Sequence, residues 1–188
     1  MAEVPISPEC IEEVQQVVEV AREPASISGD LLRHWMQSRC PEVQAIAFEG
    51  LFDHPEWCDM ISEQERSEFF YRFLRDSSLL DQENDYRIRR FDALSYCHSW
   101  MERELERGRL ENVRRAVNLL GELCSQGSDE LRQSVIDVVL EHAFQNENVK
   151  QFFERWRTSP QFANVYNEAE ELAQKWLKLN LEPEKGTF

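Results

Sequence analysis

Glycine and proline are scarce in this chain, 6 and 7 of 188 residues. So few turn formers argue against a turn-rich β-sandwich or barrel, and leave little material for a glycine loop around a phosphate. The patterns GxxxxGK[ST], GxGxxG and GxSxG are all absent. No window approaches 18 uncharged apolar residues, so no transmembrane helix is expected. The opening MAEVPISPEC has neither the basic nor the apolar stretch of a secretory signal, and none is expected. Cysteines are few and scattered: Cys10, Cys40, Cys58, Cys97 and Cys124 form no CxxC pair and no zinc spacing. That pattern predicts five reduced thiols in a cytoplasmic protein, with no metal and no other cofactor.

Bases are also in short supply, 21 Lys and Arg against 36 Asp and Glu, for a net charge of −15. Such a field repels a phosphate backbone or an anionic membrane surface, so neither nucleic acid nor membrane is expected as a partner. Its natural complement is a basic protein. The acids crowd the amino-terminal end, where Glu9, Glu12, Glu13 and Glu19 surround a short apolar pattern. The stretch from Arg87 to Arg115 is arginine-rich, but Glu102, Glu104, Glu106 and Glu111 lie within it as ready partners on solvated helix faces.

What the sequence does contain is the helical period. Ser7-Pro8 begins a helix with Ile11, Val14, Val17, Val18 and Ala21 as its expected inward stripe. Helices follow near Gly29–Ser38 and from Pro41 to His54. Ser62-Glu63-Gln64-Glu65 reads as a capping box for a helix bearing Phe69, Phe70, Tyr71, Phe73 and Leu74. That apolar arc is wide, so the helix is either covered on two sides or shows an aromatic patch. A long helix is expected from Asp85 to Glu106, with Ile88, Phe91, Leu94, Tyr96, Met101 and Leu105 inward. Others follow over Leu110–Ser125 and from Ser128, where Leu131, Val135, Val138, Val139 and Leu140 face in. A final helix opens at Ser159-Pro160, with Trp176 expected to cover the core of that half. No stretch alternates with the period of a strand.

The expected fold is therefore all-α: stacked antiparallel hairpins, HEAT-like, or an irregular bundle of about eight or nine helices. An amino-terminal half over 1–78 and a carboxy-terminal half over 79–180, expected to form one continuous domain, meet at a polar seam near Ser77–Asp85, with a loose tail at 181–188. One echo supports the repeat form: PEVQAIAFEGLFDH (Pro41 to His54) aligns without a gap with DELRQSVIDVVLEH (Asp129 to His142).

WMERELERGRLENVRRAVNLLGELCSQGSDELRQSVIDVVLEHAFQNENV, within the second half, resembles an uncharacterised family of small acidic helical bacterial proteins. Some members of that family resemble immunity proteins encoded beside toxins. The resemblance implies fold; it carries over no functional residue.

The leading functional expectation is a non-enzymatic, acidic protein-binding module, in its most concrete form an immunity or antitoxin protein masking a basic partner. Its candidate contacts are Glu9, Glu12, Glu13 and Glu19, then Phe69, Phe70 and Phe73. Two alternatives stand beside it: a thiol- or histidine-dependent hydrolase at His54 and Cys58, where an imidazole four residues from a thiol can activate it, or a structural subunit that pairs through the Phe69–Leu74 face. His98 and Glu102, like His34 and Asp30, stand at the spacing of ordinary helix-surface pairs.

Overall fold

A computed structural model describes residues 8–22, 27–79 and 86–181; for 8, 9, 86–90, 180 and 181 it describes the backbone alone. The fold is all-α, with no strand among the described residues. The helices are α1 (Pro8–Ala21), α2 (Gly29–Gln37), α3 (Pro41–Asp53), α4 (Pro55–Cys58), α5 (Glu63–Leu79), α6 (Tyr86–Glu106), α7 (Leu110–Gln126), α8 (Asp129–Ser134), α9 (Glu141–Ala143), α10 (Glu147–Lys150), α11 (Glu154–Arg157) and α12 (Ala163–Leu181). A π-helical segment, Val135–Leu140, joins α8 to α9 in one continuous rod, and a 3-10 turn, Gln151–Phe153, joins α10 to α11.

The helix starts follow local chemistry. Ser28 Oγ accepts from the Leu31 amide and Ser128 Oγ from the Leu131 amide, each at 3.2 Å. The expected capping box is present: Ser62 Oγ accepts from the Glu65 amide at 3.2 Å, and the Ser62 amide donates to Glu65 Oε2 at 2.8 Å. Gly108, at φ 71°, takes the left-handed turn that ends α6.

Two compact units result: one built on α1 to α5 as far as Asp76, the other on α6 from Arg90 onward through α12. Ser77–Leu79 of the expected seam forms the last turn of α5; 80–85 lies outside the described residues. Of the expected tail, Leu181 belongs to α12 and 182–188 lies outside them.

The first unit has an aromatic core. Phe48 of α3 touches Phe69, Phe70 and Phe73 of α5 at centroid separations of 6.3, 5.7 and 4.5 Å. Trp35 meets Trp57 at 6.0 Å. Gly50 is required here, because a Cβ at that position would sit 1.9 Å from the Trp57 ring. The wide apolar arc of α5 thus means coverage. Phe69, Phe70 and Phe73 are only 2, 2 and 4% exposed, so they form no docking patch and no self-association face.

In the second unit, Leu120, Val135, Val139 and Leu140 are fully buried, as their helical spacing requires. The π segment presents five buried aliphatic residues and packs against α7 and α12. Two expectations fail. Phe91 of α6 is exposed, and so is Trp176: α12 covers the π segment with Val165, Tyr166, Ala169 and Ala173, leaving its last turns outside the core. Both segments of the echo, 41–54 and 129–142, are helical, but α3 is plain α-helix to Asp53 whereas its counterpart turns π at Val135. The wider π turn rotates all that follows by about one residue step.

Candidate functional site

α1 shows an acidic and partly apolar ridge. Val17 is buried and Val14 half-buried, while Ile11 and Val18, expected inside, are 45 and 37% exposed. The reason is a disulfide between Cys10 of α1 and Cys40 at the start of α3, with Cα atoms 5.5 Å apart. It centres the inward line on Cys10, Val14, Val17 and Ala21, so Ile11 and Val18 fall about one residue step (~100°) to the side. Gln15, Glu12, Gln16 and Glu19 continue outward from them, all exposed. Glu13 is drawn to the flank, its Oε1 3.9 Å from His34 Nε2. The side chain of Glu9 lies outside the described residues.

The same disulfide corrects the expectation of five free thiols. Cys58, Cys97 and Cys124 are free, and burial pushes the thiols of Cys97 and Cys124 up to about 12. With Cys10 and Cys40 bonded, the argument for a reducing compartment from unpaired thiols no longer holds. Glu42, in the first turn of α3, places Oε2 3.3 Å from Cys10 Sγ and 3.0 Å from Cys40 Sγ.

His54 and Cys58 form no dyad. His54 caps the junction of α3 and α4, and Pro55 opens the short helix that ends at Cys58, so the two do not share one helical face. The Cys58 thiol donates to the Leu51 carbonyl at 3.2 Å; His54 stands 3.7 Å from Glu56 Oε1 and its ring centroid lies 5.0 Å from that of Trp57.

A histidine concavity was missed in the sequence. His98 of α6 and His142 of α9 have ring centroids 5.1 Å apart, with Trp176 set edge-on to His142 at 6.2 Å. They line an open concavity of about 510 Å³ with Glu102, Gln145, Asn146 and Glu147. Glu102 accepts from Asn146 Nδ2 at 3.1 Å. Burial holds the His98 imidazole below its ordinary pKa; nearby His142 adds to this and Glu102 opposes it. The three ionisable groups, His98, Glu102 and His142, do not converge closely enough to share an ion. The His98–Glu102 spacing is visible in the sequence, whereas His142 joins them from α9, 44 residues after His98, by tertiary packing.

Three arginines of the arginine-rich stretch, Arg107, Arg109 and Arg114, pair with acids from within it. Glu104, fully buried, takes Arg109 through two contacts of 2.7 and 2.5 Å and Asn112 at 2.6 Å, with Arg107 at 3.7 Å. Arg114 meets Glu111 at 3.3 Å. The side chains of Arg87, Arg89 and Arg90 lie outside the described residues. Asp30 pairs with Arg33 at 3.1 Å. No described helix is long and apolar enough to cross a membrane.

Comparison with known proteins found no matching family model, no matching curated protein and no matching solved structure.

Proposed function

We infer that the chain is a non-enzymatic binding module whose α1 ridge docks a basic protein. The observation that carries this reading is the outward placement of Ile11 and Val18, two turns apart on one face, beside exposed Glu12 and Glu19. Apolar groups give such a contact its buried area, and the flanking carboxylates steer a cationic partner and fix its register. The net charge of −15 extends that steering field. An immunity or antitoxin role, with this ridge masking a basic toxin domain, is its most concrete form.

The test places a photo-crosslinker at Gln15 and identifies the partner captured in the source cell. With that partner in hand, Glu12→Lys with Glu19→Lys slows association and flattens its salt dependence, because rim charges act over roughly 8 Å at physiological salt. Ile11→Ser with Val18→Ser speeds dissociation instead. Unchanged rates in both double variants exclude α1 as the docking surface.

A further inference from the structure

Cys10, Cys40 and Glu42 bring two sulfurs and a carboxylate oxygen within 4.8 Å of one another. Among the described residues this is the one group of three possible metal ligands so placed. We propose that, once the disulfide is reduced, these three side chains bind one borderline-soft divalent cation of the zinc class.

The chemistry of the donors supports the assignment. A disulfide sulfur carries no proton, so the approaches of Glu42 Oε2 to the two sulfurs, 3.3 and 3.0 Å, are not hydrogen bonds while the sulfurs are joined. In the reduced state they become meaningful: thiols can donate to the carboxylate, and a cation can take the place of both protons. Two thiolates and a carboxylate carry three negative charges, which favour a dication strongly over a neutral occupant. Thiolate ligands select zinc over magnesium or calcium.

The frame also suits the site. Cys40 is the N-cap of the 13-residue α3, so the positive end of that helix stabilises a thiolate there. Glu42 stands in the first turn, and Cys10 arrives from α1, which packs on α3. Zinc–sulfur bonds of about 2.3 Å set two sulfurs about 3.8 Å apart in a tetrahedral centre, a distance reached by side-chain rotation once the bond is cut. Three protein ligands leave the fourth position to water.

The redox step balances. A trialkylphosphine and one water convert the disulfide to two thiols and a phosphine oxide; zinc then displaces two protons from the thiols. The proposal stands apart from the partner of α1, since zinc alone is the ligand tested.

The experiment titrates the full chain, reduced with a trialkylphosphine under anaerobic conditions, with zinc against a chromophoric chelator. It repeats the titration with cobalt(II) to read thiolate-to-metal charge transfer. One equivalent binds to the reduced chain and none to the oxidised chain. Cys10→Ser with Cys40→Ser abolishes binding while leaving Cys58, Cys97 and Cys124 in place. Glu42→Gln weakens it by at least the ~10–100-fold seen for loss of an outer-shell partner, because here a direct ligand is lost. Equal zinc uptake by the reduced chain and the double serine variant, or no thiolate band with cobalt, overturns the site. Unchanged affinity in Glu42→Gln overturns the three-ligand centre. The readings on the reduced native chain do not depend on how well any variant folds.

Discussion

Glu104 is the one buried carboxylate among the described residues, and it closes the corner between α6 and α7. Arg109 reaches it with two nitrogens and Asn112 with one, so each oxygen is satisfied away from water. Such a pair adds little relative to an apolar pair of the same shape, yet breaking it is costly, because the surviving charge stays behind without compensation. Glu104→Ala should therefore lower unfolding stability by about 3–5 kcal/mol in urea. A loss below 1 kcal/mol would mean that Arg109 reaches solvent freely once released. The spacing that joins Glu104 to Arg109 is visible in the sequence, where both counted as surface charges. Burial of Glu104 depends on which face of α6 turns inward, and that face is chosen by Leu94, Cys97 and Met101.

At the scale of elements, α5 is legible at its start and ambiguous along its length. The Ser62–Glu65 box needs only residues three apart and forms as expected. Its glutamate does more than cap. The Arg33 side chain bonds Glu65 at 2.7 Å and, with Ser62, holds its carboxyl down from 4.5 to about 2. A carboxyl whose pKa falls on folding binds fewer protons in the native state, so its stabilisation is complete above pH 4.5 and lost as pH falls towards about 2. Melting temperatures of the native chain and Glu65→Gln should differ most near neutrality and converge as the pH approaches 2. A constant gap across that window would show that Glu65 is not linked to folding through its charge. The tie to α2 was invisible locally, because Arg33 and Glu65 are 32 residues apart. The aromatic arc of α5 was likewise undecided until α3 supplied Phe48 to cover it.

Across the whole chain, the cysteines show how far spacing can be trusted. Cys10 and Cys40 stand 30 residues apart and carry no motif, yet α1 lies along α3 and brings them together. Closing a loop of that length restricts the unfolded chain and stabilises the fold by roughly 3–4 kcal/mol. Mass spectrometry after denaturation without reductant should therefore find three alkylatable cysteines, Cys58, Cys97 and Cys124, and five after reduction. Five before reduction would show the pair as thiols, the state in which the proposed cation binds.

The sequence by itself determined the helical class, most helix starts and the aliphatic core of the second unit. Those features depend on residues three to four positions apart, where capping and amphipathic spacing act within a single element. Only the tertiary structure decided which way α1 faces, whether the aromatics of α5 are shown or covered, and that His98 meets His142. Each of these depends on a partner from a distant element. An apolar pattern records that a helix has a buried side, but the neighbour that buries it sets the direction. Ile11 and Val18 point outward because a disulfide 30 residues long in sequence holds Cys10 inward.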